Sequence, residues 1–304
     1  MDHIINAVER ARESRAAENL RAGEPPKLGQ ALERALELRP VVTPAPAPKP
    51  TVSPLPLRDA QMEATPTSEA QAELLVSDAT VSVSRLEQIR VVGHDPADPN
   101  SNSFDLLRTQ VLQAMEVNGW RTLAVTSPTA GCGKTFTALN LALSIARQPN
   151  SSVLLADLDF KKPQIAQRLG LKCTGGVRSM LDGRQSLEES ITTVSAAGVQ
   201  FQLLPCERAS SRSSDWMASP RMTSALQALR SNEALKIAIL DLPPLLLSDD
   251  VISILPQVDC VLLVTSVGTT KTTELKECGN YLSSTPVVRI VLNKIPTAPK
   301  AYYY

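Results

Sequence analysis

Aromatic residues make up only 3% of this 304-residue chain, and histidine occurs only at His3 and His94. Neither histidine lies near a motif, which argues against a His-rich metal centre and against histidine acid–base chemistry. The five cysteines (Cys132, Cys173, Cys206, Cys260 and Cys278) are scattered, with no C-x-x-C pair and no zinc-ligand spacing. The expectation is reduced thiols in a cytoplasmic protein. An excess of either charge is also missing: 31 Lys and Arg face 31 Asp and Glu. That balance lacks the basic footprint of a nucleic-acid binder, so no nucleic-acid partner is expected. No run approaches the roughly 18 apolar residues of a membrane span, and with a polar N-terminus no signal peptide is expected.

Proline is plentiful but unevenly placed. Residues 1–39 read as short helical segments: Ile4, Ile5, Val8 and Ala11 form one apolar face, and a second patch, Leu28 to Leu38, stops at Pro40. Seven prolines between Pro40 and Pro56 then forbid helix and ladder pairing. In polyproline II this stretch spans roughly 50 Å. Residues 40–85 are expected to be a largely disordered Pro/Ala/Ser-rich linker. The extension reads as a tether with a helical hook, suited to a partner helix more than to lipid because its polar face is not notably basic.

From residue 86 to residue 299 short apolar runs alternate with helical spacing. Strands are expected at Leu123–Thr126, Val153–Ala156, Phe201–Leu204, Lys236–Leu240, Val258–Thr265 and Val287–Leu292. Helices are expected at Phe104–Val117, Phe136–Arg147, Gln164–Gly170, Val177–Asp182, Pro220–Arg230 and Thr272–Leu282. This pattern predicts an α/β fold with a mainly parallel sheet covered by helices on both faces. A ligand is then expected beyond the strand C-termini.

The loop Ser127–Pro128–Thr129–Ala130–Gly131–Cys132–Gly133–Lys134–Thr135 sits between the first of these strands and an apolar helix. Strand, glycine loop and helix in that order form a polyphosphate cradle, a P-loop of deviant Walker A type in which Pro128 replaces the first glycine. Backbone N–H groups of residues 129–136 (Thr129, Ala130, Gly131, Cys132, Gly133, Lys134, Thr135 and Phe136) would face the phosphates. Lys134 is placed to reach the β- and γ-phosphates of ATP, and the Thr135 hydroxyl to hold Mg²⁺. Cys132 reads as a small residue tolerated in the loop.

Two acidic signals follow. Asp157 and Asp159 lie two residues apart at the end of the strand Val153–Ala156, within Asp157–Leu158–Asp159–Phe160–Lys161–Lys162–Pro163. Carboxylates so placed can hold Mg²⁺ or take a proton from an incoming hydroxyl. Asp241 ends the apolar run Ile237–Leu240, as a Walker B carboxylate does. Asn293, just past the final strand, is either a purine-reading residue or a turn-forming one.

Together the loop S-P-T-A-G-C-G-K-T, the segment A-D-L-D-F-K-K-P and the strand I-L-D-L-P-P resemble the bacterial tyrosine kinases (BY-kinases) of capsule and exopolysaccharide systems. The resemblance covers residues 95–304 and fits the separate cytoplasmic kinase subunit. It implies a protein-tyrosine autokinase, with Lys134, Asp157, Asp159 and Asp241 as catalytic residues and Thr135, Asp157, Asp159 and Asp241 around Mg²⁺. It leaves open which of Asp157 and Asp159 is the base. Three of the four tyrosines are Tyr302, Tyr303 and Tyr304, in the tail 300–304. In the resembled family such a cluster is the phosphoacceptor, presented to a neighbouring subunit. The resemblance also implies a membrane polysaccharide co-polymerase or activator, a homo-oligomer, a cognate tyrosine phosphatase, and placement at the inner face of the membrane through the partner.

The chain departs from the family at three places, one of them the tail, which is only a tyrosine triplet with no upstream tyrosines spread along a longer cluster. The oligomerisation pattern E-x-x-R-x-x-R reads Asn102, Asp105, Arg108, and the P-N-P-x-E segment is replaced by Ser210–Asp215 leading into Trp216 and Met217. A ParA/MinD-type switch ATPase is the competing reading, but its signature loop lysine falls at Thr129. A non-catalytic, nucleotide-gated scaffold is the third.

Overall fold

The computed structural model describes residues 78–296 except residue 211. The expected N-terminal helices, all but the end of the linker, and the tyrosine tail lie outside the described residues. The chain runs β1 (Asp78–Val81), α1 (Val83–Gln88), α2 (Ser101–Asn118), β2 (Thr122–Thr126), α3 (Lys134–Ala146), β3 (Val153–Asp157), α4 (Ile165–Leu169) and α5 (Val177–Leu181). It continues through β4 (Thr192–Ala196), β5 (Val199–Leu204), α6 (Ser213–Met217), α7 (Pro220–Ser231), β6 (Ile237–Asp241), α8 (Asp249–Ile254), β7 (Cys260–Ser266), α9 (Thr272–Tyr281) and β8 (Val287–Asn293).

The strands form one sheet in the order β1-β4-β5-β3-β6-β2-β7-β8. From β5 to β8 every neighbouring pair is parallel, and every residue of β2, β3, β6 and β7 is buried. Both faces are covered, which explains why these strands read as unbroken apolar runs. Leu123 and Val125 pack with Leu139, Leu143 and Val111 on one face, while Ala124 packs with Trp216, Leu226 and Val251 on the other. Each fully buried Leu or Val contributes roughly 1.5–3 kcal/mol. The α/β expectation is met.

The other edge differs from the expectation. β4 and β5 form an antiparallel hairpin, and β1 adds to β4 in parallel. The hairpin turns through Ala197 and Gly198, both at positive φ (51° and 82°), as a two-residue hairpin loop requires. The linker boundary expected at residue 85 therefore falls inside the folded unit. Asp78–Val81 is strand, and Leu86 of α1 is fully buried. Val92 and Gly93 N–H then both donate to Asn140 Oδ1 at 2.8 Å, strapping the N-terminal segment to α3.

The charges of α2 turn inward. Asp105 accepts two bonds from Arg147 Nη2 (2.6 and 2.7 Å), one from Ser144 Oγ (2.6 Å) and one from Arg108 Nη1 (3.0 Å). Burial alone would raise the Asp105 pKa, but Arg147 and Ser144 hold it below the usual range. Of the residues aligned with the oligomerisation pattern, Asp105 and Arg108 thus clasp α2 to α3.

Candidate active site

The site is assembled at the C-terminal ends of β2, β6 and β3, which lie side by side. The phosphate loop leaves β2 and is pinned by its neighbours. Leu245 N–H donates to Ser127 O (2.8 Å) and Leu246 N–H to Pro128 O (3.1 Å), so the segment after β6 holds the loop's first half. Ser127 Oγ donates to Thr129 O at 2.8 Å. Gly133 has φ +96°, a conformation that L side chains avoid, and a Cβ there would collide with the Asn293 amide. Pro128 is buried, and no glycine is needed at that corner.

Strand register places the carboxylates. β3 and β6 pair with Asp157 opposite Asp241, and β2 pairs with β6 with Val125 opposite Asp241. Lys134, at the start of α3, then meets the carboxylates across the cleft. Its Nζ is 2.8 Å from Asp159 Oδ2, 3.5 Å from Asp241 Oδ1 and 3.4 Å from Thr135 Oγ1. Burial alone would lower the Lys134 pKa, but Asp241 and Asp159 outweigh it and raise it, so the lysine stays charged.

The three aspartates have different surroundings. Asp159 is held from both sides: Oδ1 accepts from Lys162 N–H (3.0 Å) and Oδ2 from Lys134. Asp157 Oδ2 accepts from Gln164 N–H and Ile165 N–H, both at 2.9 Å, and so secures the start of α4. Burial, followed by the neighbouring Asp241 charge, raises its pKa to about 7. Asp241 is 1% exposed and its Oδ2 has no hydrogen-bond partner among the described residues. Burial raises its pKa too, opposed by Lys134 and Thr135.

An orphaned, buried carboxylate oxygen beside a threonine hydroxyl is the environment a divalent cation would satisfy. Among the described residues no group of three or more His, Cys, Asp or Glu forms an all-protein cage. Magnesium suits this donor set, since it commonly takes one or two carboxylates and completes its shell with water and substrate phosphates. Of the four residues expected around Mg²⁺, Thr135, Asp241 and Asp159 would hold it, while Asp157 Oδ2 is already engaged by Gln164 and Ile165 N–H.

Three further residues of the expected site are placed by the structure. Asn293 Nδ2 donates to Cys132 O (3.0 Å) and its Oδ1 accepts from Lys294 N–H (2.8 Å). It braces the phosphate loop. The Phe136 ring stacks edge-on against Phe104 at 5.9 Å, in the core between α2 and α3, leaving only its backbone for the loop. Cys132 is 1% exposed, with Sγ 3.6 Å from Thr270 Oγ1, a buried packing position. Thr129 is half-buried, and Ala130 and Gly131 are exposed at the mouth of the loop.

One contact had no signal beyond the identity of its residues. Lys161 Nζ donates to Ser248 Oγ (2.9 Å) and lies 3.5 Å from Asp250 and 3.8 Å from Asp249. It ties the acidic loop after β3 to the start of α8. Behind the loop, Phe160 packs edge-on against Trp216 at 5.3 Å, and the Arg178 guanidinium lies 4.7 Å over the Trp216 ring.

A phosphate loop, a lysine and register-matched carboxylates at the ends of parallel strands define a nucleotide-binding α/β domain. The chain belongs to the family described as CobQ/CobB/MinD/ParA nucleotide binding domain, which matches residues 123–300. Within that breadth it is similar to bacterial tyrosine kinases. It is 28% identical over 244 residues to EpsB of Ralstonia solanacearum, covering 79% of this chain and 31% of that protein. It is 27% identical over 204 residues to the tyrosine-protein kinase YwqD of Bacillus subtilis, covering 66% of this chain and 83% of YwqD. The crystal structure of the VpsO kinase domain matches with a TM-score of 0.55 at 28% identity, over 66% of this chain and 100% of that one. The chain thus spans about a third of the length of the first of these relatives and most of the second. Among the described residues no helix is long and apolar enough to cross a membrane.

Proposed function

We propose that this chain is an ATP- and Mg²⁺-dependent protein-tyrosine autokinase whose acceptors are Tyr302, Tyr303 and Tyr304, presented by a second copy. The observation that carries it is the 2.8 Å contact between Lys134 and Asp159. It sets a phosphate-binding cation directly against a carboxylate able to receive a phenolic proton. While Lys134 rests on Asp159, the carboxylate is occupied. Once the lysine turns to the β- and γ-phosphates, Asp159 Oδ2 is free to accept a hydrogen bond from the tyrosine hydroxyl. Asp159 is the base in this reading, and Asp157 keeps the loop in place from below. Mg²⁺, when bound, supplies neutralising charge at the phosphates, held by Thr135, Asp241 and Asp159. The protein's contribution is position and preset charge.

The names of the relatives support a tyrosine acceptor, and Thr129 at the position of a switch ATPase's signature lysine speaks against that alternative. The same reading carries the wider assignment: regulation of capsular or exopolysaccharide synthesis with a membrane co-polymerase, at the inner membrane face, reversed by a tyrosine phosphatase.

Intact-mass and phosphotyrosine analysis of the full chain with Mg-ATP, beside Lys134→Met, tests the core of the proposal. Phosphate on Tyr302–Tyr304, absent in the variant, is expected. ATP hydrolysis without tyrosine modification, even with a cytoplasmic partner peptide, would assign a switch ATPase instead. Phosphotyrosine persisting in Lys134→Met would overturn the assigned site.

A further inference from the structure

A second cavity opens beside the acidic loop. It has a volume of about 460 Å³, and its walls include Lys161, Lys162, Cys206, Glu207 and Arg208. Charge on these walls is not balanced. Lys161 is committed to Ser248, Asp249 and Asp250. Glu207 is turned inward, its two carboxylate oxygens accepting from Arg178 N–H (3.0 Å) and Ser179 N–H (2.9 Å). The Cys206 thiol, pushed up to about 12 by burial, adds no negative charge at neutral pH. The side chains of Lys162 and Arg208 are exposed and have no ion pair or hydrogen bond among the described residues. Nearby, Arg178 is 9% exposed and makes no carboxylate ion pair among the described residues; its guanidinium lies 4.7 Å over the Trp216 ring and its Nη1 reaches Arg208 O (3.4 Å) and Ala209 O (3.3 Å). Two unpaired cations at a cavity mouth form a site for a doubly charged group.

The cavity is joined to the reacting centre. Lys162, on its wall, gives its N–H to Asp159 Oδ1 at 3.0 Å. Consecutive Cα atoms lie about 3.8 Å apart, and side chains of an extended strand alternate in direction. A tyrosine at Asp159 therefore brings its neighbour in a Tyr-Tyr-Tyr run close to this wall.

We infer that the cavity between Lys162 and Arg208 is a docking site for a phosphotyrosine already formed in the tail, so that one phosphorylation primes the next. The inference rests on the kinase reading for its acceptor, but the cavity can be tested apart from catalysis. A phosphotyrosine carries roughly −1.5 to −2 charges and three acceptor oxygens, matching paired Lys and Arg better than a single carboxylate does.

The experiment uses the full chain and three fluorescein-labelled peptides of residues 295–304. One is unmodified, one carries phosphotyrosine at position 303, and one carries glutamate there. Anisotropy titration at low salt is expected to show the phosphopeptide binding about tenfold tighter than the unmodified peptide, with the glutamate peptide between them. Arg208→Ala combined with Lys162→Gln should erase that preference. Arg208→Ala alone should reduce it while leaving the affinity for the unmodified peptide unchanged. Equal affinity of all three peptides for the native chain, or a preference that survives the double substitution, would overturn the proposal. Phosphate transfer to the peptides is followed in parallel. Binding preference without any transfer would sink the kinase reading and leave the docking site, whereas transfer with equal affinities would sink the docking site alone.

Discussion

The phosphate loop and the acidic loop lie on two sides of one cleft and are held in opposite ways. The phosphate loop is fixed from outside. Residues after β6 donate to Ser127 and Pro128, Asn293 donates to Cys132, and Thr270 closes on the Cys132 thiol. The acidic loop is fixed largely from within: Asp157 holds Gln164 and Ile165, and Asp159 holds Lys162, with Lys161 as its strut to α8. Exposed backbone donors must stay free for phosphates, so that loop has few internal bonds to spend on its own shape. The acidic loop can use its carboxylates on its own backbone because each offers more than one acceptor site. Its functional groups therefore double as its scaffold.

Asp159→Asn breaks this comparison at its strongest point. It should lower the rate of tyrosine phosphorylation by about 10²–10³-fold, the scale of losing a base or a preset charge, with ATP affinity less affected. Single-turnover transfer beside ATP titration checks this, and an unchanged transfer rate would remove Asp159 from the chemistry. Gly133→Ala should be next. Its φ of +96° and the collision with Asn293 strain the loop, so ATP affinity should fall about tenfold or more while the sheet stays folded. Calorimetric titration with Mg-ATP, alongside circular dichroism, reads both.

Asp157→Asn separates scaffold from chemistry. The folded chain keeps this carboxyl protonated up to about pH 7, whereas in the unfolded chain it ionises near the ordinary value of about 4. The folded state thus binds more protons between these values, and stability must fall as pH rises through them. Asparagine keeps an acceptor for Gln164 and Ile165 N–H, so the variant should lose part of that slope. Melting temperatures at pH 5 and pH 7.5 without nucleotide test the sign, and an unaltered slope would place its origin elsewhere. The smallest effect belongs to Asn293→Ala. It removes one brace on the phosphate loop and should cost about 1 kcal/mol, a melting shift of roughly 2–4 °C, with a modest loss of ATP affinity.

Legibility in the sequence followed burial. β2, β3, β6 and β7 are buried along their whole length, and each appeared as an apolar run within a residue or two of its observed limits. β4 did not. Its Thr192–Ala196 alternates between half-buried and buried positions, and a Thr/Ser-rich strand of that kind has little apolar signal. The Ala197–Gly198 turn was its one available mark. β1 and α1 were hidden for a different reason: their apolar residues Val81, Val83 and Leu86 follow directly on an Ala/Ser/Thr-rich stretch, with no turn signal to mark where the folded unit begins. Within the site, the loop, Lys134 and the three aspartates were all readable as types at the ends of strands. The different hydrogen-bond surroundings of the aspartates were not, because all three present the same chemical group at a similar local position.

Sequence alone determined the parallel α/β sheet and the strand–glycine loop–helix unit, because hydrophobic period and positive-φ glycine are local properties of the chain. It also determined which residues carry charge at the strand ends. Only the tertiary structure decided that Asp157 faces Asp241 in register, that Lys134 rests on Asp159, that Asn293 braces the phosphate loop, and that Lys162 and Arg208 line one cavity. Those pairings join residues far apart in the chain. They depend on strand order and on which groups lose water together, and no local pattern encodes either.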